Sequence, residues 1–126
     1  MPAGKHVGMD RAFLSAAAQG LRNFGRLCVR AGVTTSSDLG QQLTDELVDL
    51  FLDVTGDPSY PACLVAFRIN FGMSPAELVA YTASLRPRST ERLDLGRIKV
   101  IADGSIQGFS ARLRWPGYYN GSENGL

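Results

Sequence analysis

The residue best placed to do chemistry in this chain is a lysine inside an apolar run. Lys99 lies in Gly96-Arg97-Ile98-Lys99-Val100-Ile101-Ala102, and Asp103-Gly104-Ser105-Ile106-Gln107-Gly108 follows directly. The pattern reads as a buried strand that ends in a Gly-rich turn. Burying an unpaired ammonium is costly, so Lys99 needs a partner or a use. Desolvation lowers the pKa of a buried lysine. The structural alternative is a side chain that snorkels to the surface or pairs with a carboxylate such as Asp38 or Asp103. Asp103 and Ser105 carry a similar double reading. They line a substrate mouth, orienting Lys99 or touching substrate, or they simply form the turn that Asp-Gly signals.

Other polar residues are weaker candidates. Asp38 follows a β-branched segment, where a barrel's chemistry occurs, but it suits an N-cap of the next helix better. The 104–108 stretch lacks the Gly-Lys-Ser/Thr ending and the Gly-x-Gly-x-x-Gly spacing of a phosphate cradle. Trp115, Tyr118 and Tyr119 line a pocket or form an exposed aromatic cluster. Arg112 and Arg114 read as solvated surface charges, with an anionic substrate group as the alternative. Cys28 and Cys63 sit far apart in apolar stretches and read as buried thiols of a reducing, cytoplasmic compartment. His6, the single histidine, reads as a solvated side chain in a Gly-containing leader. Neither Ser105 nor Cys63 has a histidine that sequence could place beside it for nucleophilic catalysis.

These residues must be held by alternating elements. Residues 1–9 form a leader, 10–102 alternate between helix and strand, and 103–126 are loop-rich. Phe13, Ala16, Ala17, Leu21, Phe24, Leu27 and Cys28 recur at helical spacing between Asp10 and Arg30, with Asp10 as N-cap and Gly32 as the stop. Val33-Thr34-Thr35-Ser36 predicts a short strand. Gln42 to Val54 predicts a second helix with Leu43, Leu47, Leu50, Phe51 and Val54 on its apolar face, ended by Gly56-Asp57-Pro58. Ala62 to Ile69 is a near-continuous apolar run, as in strands buried on both faces of a parallel sheet. Ser74-Pro75-Ala76-Glu77 is a capping box that opens a third helix, which stops before Pro87. A polar loop, Arg86 to Glu91, leads to a third strand over Arg97 to Ala102. The order α-β-α-β-α-β predicts parallel strands joined by right-handed crossovers.

The chain has 126 residues, 44% hydrophobic, which supports one folded domain rather than disorder. Its 13 Lys and Arg nearly cancel its 12 Asp and Glu, so neither nucleic acid nor an anionic membrane is expected as partner. No stretch approaches the ~18 apolar residues of a membrane span.

The segments Gly32-Val33-Thr34-Thr35-Ser36-Ser37-Asp38 and Ile98-Lys99-Val100-Ile101-Ala102-Asp103-Gly104-Ser105 together resemble the metal-dependent amidohydrolase superfamily, in its amidohydrolase-3 branch. The second segment is the more specific, and the likeness spans roughly residues 10–126. It implies an α/β fold, part of a (β/α)8 TIM barrel, with about three βα units in this chain. A full barrel needs about 250 residues, so the chain would be an internal fragment carrying strands two to four. The resemblance implies that Lys99, carboxylated, bridges divalent metals such as zinc, about 3.5–4 Å apart. Metal-activated water would then hydrolyse an amide-type C–N bond of a small-molecule substrate. Asp103 and Ser105 are the implied substrate contacts. The family's His-x-His pair is absent, and its ligands from strands five, six and eight would lie beyond Leu126. The isolated chain is therefore expected to be inactive and to need the missing barrel segments or a homo-oligomer as partner. The alternative is a small non-enzymatic α/β domain that binds a ligand or another protein.

Overall fold

The computed structural model describes residues 11–122. Its first helix, α1, spans Arg11–Arg30. It ends because Gly32 turns the chain left-handed at φ 70°, where a side chain would be strained. The Val33 amide then reaches back to Cys28 O at 2.8 Å and the Gly32 amide to Val29 O at 3.0 Å, satisfying carbonyls the helix leaves open. Strand β1 follows at Thr35–Gln41. Helix α2 spans Asp45–Gly56, and Thr44 caps it by accepting the Leu47 amide at 3.4 Å. The sequence pattern started this helix at Gln42. Leu43 instead takes φ 46°, which drops its side chain fully into the core and leaves Thr44 free to cap.

Strand β2 spans Cys63–Ile69 and helix α3 spans Pro75–Leu85. The expected capping box is present: Ser74 Oγ accepts the Glu77 amide, and Glu77 Oε2 accepts the Ser74 amide at 2.9 Å. A single 3-10 turn, Arg86–Arg88, leads toward β3 at Leu93–Lys99.

The strands lie side by side in chain order and all run parallel. The expected α/β alternation and parallel pairing are thus observed. The third strand, however, lies about four residues earlier than its expected Arg97–Ala102. Two forces set this register. Leu93 and Leu95 are almost completely buried, and Leu93 pairs with Leu64. At the other end Lys99 pairs with Ile69, the last residue of β2, so Val100 and Ile101 have no strand left to pair with and are exposed. Gly96, at φ 86°, falls in the irregular stretch of this pairing. A Cβ there would meet Arg86 Cβ at 2.9 Å and Thr82 O at 3.0 Å, so the strand and α3 can approach only around a glycine.

The core closes on one side of the sheet. Val48 and Phe51 of α2 and Leu85 of α3 pack with Leu64, Ala66, Leu93 and Leu95, with Leu43 among them. A second cluster joins Cys28 of α1 to Val54, Tyr60 and Ala62. The apolar run in β2 is therefore covered on one face only. Leu64, Ala66 and Arg68 are buried toward the helices, whereas Cys63, Val65, Phe67 and Ile69 are half-buried on the helix-free face. No described helix is long and apolar enough to cross a membrane.

Candidate functional site

Parallel strands bring their C-terminal ends to one edge of the sheet, where ligands of α/β folds are bound. Here those ends are Gln41, Ile69 and Lys99. Lys99 is the last residue of β3 rather than the middle of a strand, and it is half-buried rather than buried. Its register with Ile69 places it on the helix-free face. Asp94 and Arg97 share that face, paired with Val65 and Phe67. The irregularity at Gly96 lets residues three apart point the same way, and Arg97 donates two hydrogen bonds to Asp94 Oδ2, at 2.8 and 2.7 Å. Among the described residues Lys99 makes no salt bridge, so neither Asp38 nor Asp103 serves as its partner.

Asp38 is not at a strand end and caps no helix. It sits within β1 opposite Ala66, and its Oδ1 accepts the Gly40 amide at 3.2 Å. The capping role belongs to Thr44 because the strand runs on to Gln41 before the chain turns.

Asp103 and Ser105 hold a loop together. Asp103 Oδ1 accepts the Gly104 amide and Oδ2 accepts the Arg112 amide, both at 2.7 Å. These two amides favour the carboxylate and lower its pKa, with Arg112's charge adding to them. Ser105 O accepts the Ser110 and Ala111 amides, and Ser105 Oγ accepts the Gly108 amide at 3.0 Å while donating to Gln107 Oε1 at 3.2 Å. The loop folds so tightly that a Cβ on Gly104 would collide with Ser110. Within this loop, then, the turn reading describes what both side chains do.

The aromatic segment makes a small cluster of its own. Phe109 meets Tyr118 edge-on at 5.4 Å and Tyr119 at 6.1 Å, and Tyr118 Oη donates to Ala111 O at 2.6 Å. Trp115 is 93% exposed, and Arg112 and Arg114 are exposed as well. Both cysteines are free, Cys28 buried and Cys63 half-buried. His6 lies outside the described residues. Among the described residues no three His, Cys, Asp or Glu side chains come together as a metal site would need.

One residue escaped the sequence reading. Arg68 sits inside the apolar run of β2, yet it is only 4% exposed. Its position two residues from Ala66 and four from Leu64 was the available signal, since alternate strand residues share a face. The chain matches no protein-family model, no curated protein and no solved structure.

Proposed function

We propose that this chain is an arc of a larger (β/α)8 barrel belonging to a metal-dependent hydrolase of amide-type C–N bonds, with Lys99 at the metal-bridging position. The observation that carries the reading is the place of Lys99: the last residue of a parallel strand, on the face away from the helices. In such a barrel that face is the interior and that end is where the chemistry sits. Strands laid out in chain order, with the core-forming helices on one side, suit an arc of a barrel. A doubly wound sheet reverses its strand order and covers both faces. The face that no described helix covers, and the edges of β1 and β3 that no described strand pairs, are what further strands would complete.

A bound divalent metal would supply an activated water and polarise the scissile carbonyl. The residues present fit such a centre only in part. Lys99 offers one ligand position, whereas a metal site needs three or four. The remaining ligands would come from other strands, so the described residues by themselves do not make a complete reaction centre. The loop held by Asp103 and Ser105 begins four residues after Lys99 and would border the small-molecule substrate.

Metal content and amidase activity should be measured for the chain alone and for the chain joined to its flanking coding sequence. The short chain should be inactive. The longer protein should bind about one or two divalent metals and lose them on Lys99→Ala while its circular dichroism is unchanged. Undiminished metal in that variant removes Lys99 from the centre. A folded longer protein with neither metal nor activity overturns the hydrolase reading. The second reading, a small binding domain, is favoured by the core that the chain closes by itself around Val48, Leu64 and Leu93. A short chain that is folded, monomeric and metal-free supports it.

A further inference from the structure

Among the described residues Arg68 is the one buried charged side chain. It lies near the C-terminal end of β2 on the helix side, in register with Gln41 and Ile98. One terminal nitrogen donates to Ile69 O and the other to Phe71 O, at 3.0 Å for the latter. Its Nε is buried without a partner. Arg22, Arg88 and Arg97 are all more exposed and each has a carboxylate: Asp53, Asp45 with Asp49, and Asp94. Arg68 makes no salt bridge among the described residues, and the carboxylates Asp45 and Glu46 border the same cavity without pairing with it at contact distance. A guanidinium does not deprotonate, so burial without a counter-charge is a standing cost. Two backbone carbonyls occupy only part of its five-donor fork.

Arg68 also lines an open cavity of about 570 Å³, bordered by Gln42, Thr44, Phe71, Met73 and Tyr81. Its walls are the two loops that follow β1 and β2, together with the first turn of α2, whose positive dipole end favours an anion. Tyr81 fixes one wall by donating to Leu43 O at 2.6 Å. Two carboxylates share the rim. Asp45 is engaged by Tyr81 Oη at 3.4 Å and by Arg88 at 3.8 Å, and Glu46 is exposed in the first turn of α2. A cavity of this size, partly apolar and with one fixed cation, suits a small ligand.

We infer that this cavity binds a small molecule through an oxyanion, a carboxylate or phosphate group, received by the Arg68 guanidinium. The inference is independent of the hydrolase reading, because Lys99 stands on the opposite face of the sheet. An oxyanion would pair with the Arg68 charge and accept from the terminal-nitrogen donors that the two carbonyls leave open. The ligand's body would lie against Phe71 and Met73.

Amide and arginine side-chain NMR of the full chain, titrated with sodium phosphate or sodium acetate against chloride at constant ionic strength, tests this. Saturable shifts are expected at residues 42–46, at 69–73 and at the Arg68 Nε–H, together with a rise in Tm as ligand is added. Saturation by acetate alone marks a carboxylate ligand, saturation by phosphate alone a phosphate ligand, and either supports the site. Arg68→Lys keeps the charge but loses the fork, and should weaken binding roughly tenfold. The wild-type titration decides the matter even if that variant does not fold. Shifts that do not saturate, or that saturate only outside the two loops, overturn the proposal.

Discussion

Asp103 shows how a residue of catalytic type can act on structure. Its carboxylate accepts two amides, and these lower its pKa below 3.8. A group whose folded pKa is depressed stabilises the fold above its unfolded pKa, and that contribution is lost as pH falls through the folded value. The 103–112 loop should therefore loosen below about pH 4. Hydrogen exchange at the Arg112 amide, compared between Asp103→Asn and wild type, reads this directly. The wild-type amide should lose protection on acidification, and the variant's should already be less protected at neutral pH. Equal protection in both proteins would falsify the clasp. Glu77 works the same way at a helix end. The Ser74 hydroxyl and amide lower its pKa from 4.5, so its part of the capping box is also lost in acid.

At the scale of elements, two local devices decide where helices and strands begin and end. The Ser74 capping box satisfies donors that α3 would otherwise leave open. Ser74→Ala should cost about 1 kcal/mol in urea unfolding, with the m value unchanged. Gly96 is the other device. Its φ is left-handed where β3 passes close to α3 and the turn after it, and the atoms a side chain would meet, Arg86 Cβ, Thr82 O and Arg86 Cα, are backbone or fixed directly to it and cannot easily move aside. Gly96→Ala should destabilise by more than the roughly 1 kcal/mol of a simple entropy change, because backbone strain and steric contact add. A variant as stable as wild type would show that the strand can straighten without loss. The capping box was legible in the sequence because its residues are local. The left-handed turn at Leu43 was not, because a buried pocket three elements wide is what rewards it.

For the whole molecule, stability should rest on the helix side of the sheet alone. Leu93 is fully buried between the helices and β2, so Leu93→Ala should cost about 2–5 kcal/mol and leave little native chain in thermal melts. Phe67, half-buried on the helix-free face, should be far more tolerant. That face and the two free strand edges should also drive self-association. Sedimentation of wild type should show species growing with concentration, and Phe67→Lys should shift them toward monomer. A wild-type chain monomeric at every concentration would show that the open face needs no cover.

Features set by near neighbours could be read from residue spacing. These are the α-β-α-β-α-β order, the glycine stop after Arg30, the capped start of α3, and a lysine followed by an Asp-Gly turn. Each depends on residues within a turn or two, so spacing is enough to read it. Tertiary structure decided what depends on distant partners. The end of β2 set the register of β3 and moved Lys99 from mid-strand to the strand's tip. The extension of β1 to Gln41 put Asp38 inside the sheet and passed the cap to Thr44. The one-sided packing of the helices turned an apolar run into a strand with one covered face, and enclosed the charge of Arg68 beside a cavity. Sequence spacing carries no record of which strand lies alongside or which face a helix covers, and those two facts settle burial, register and the company each side chain keeps.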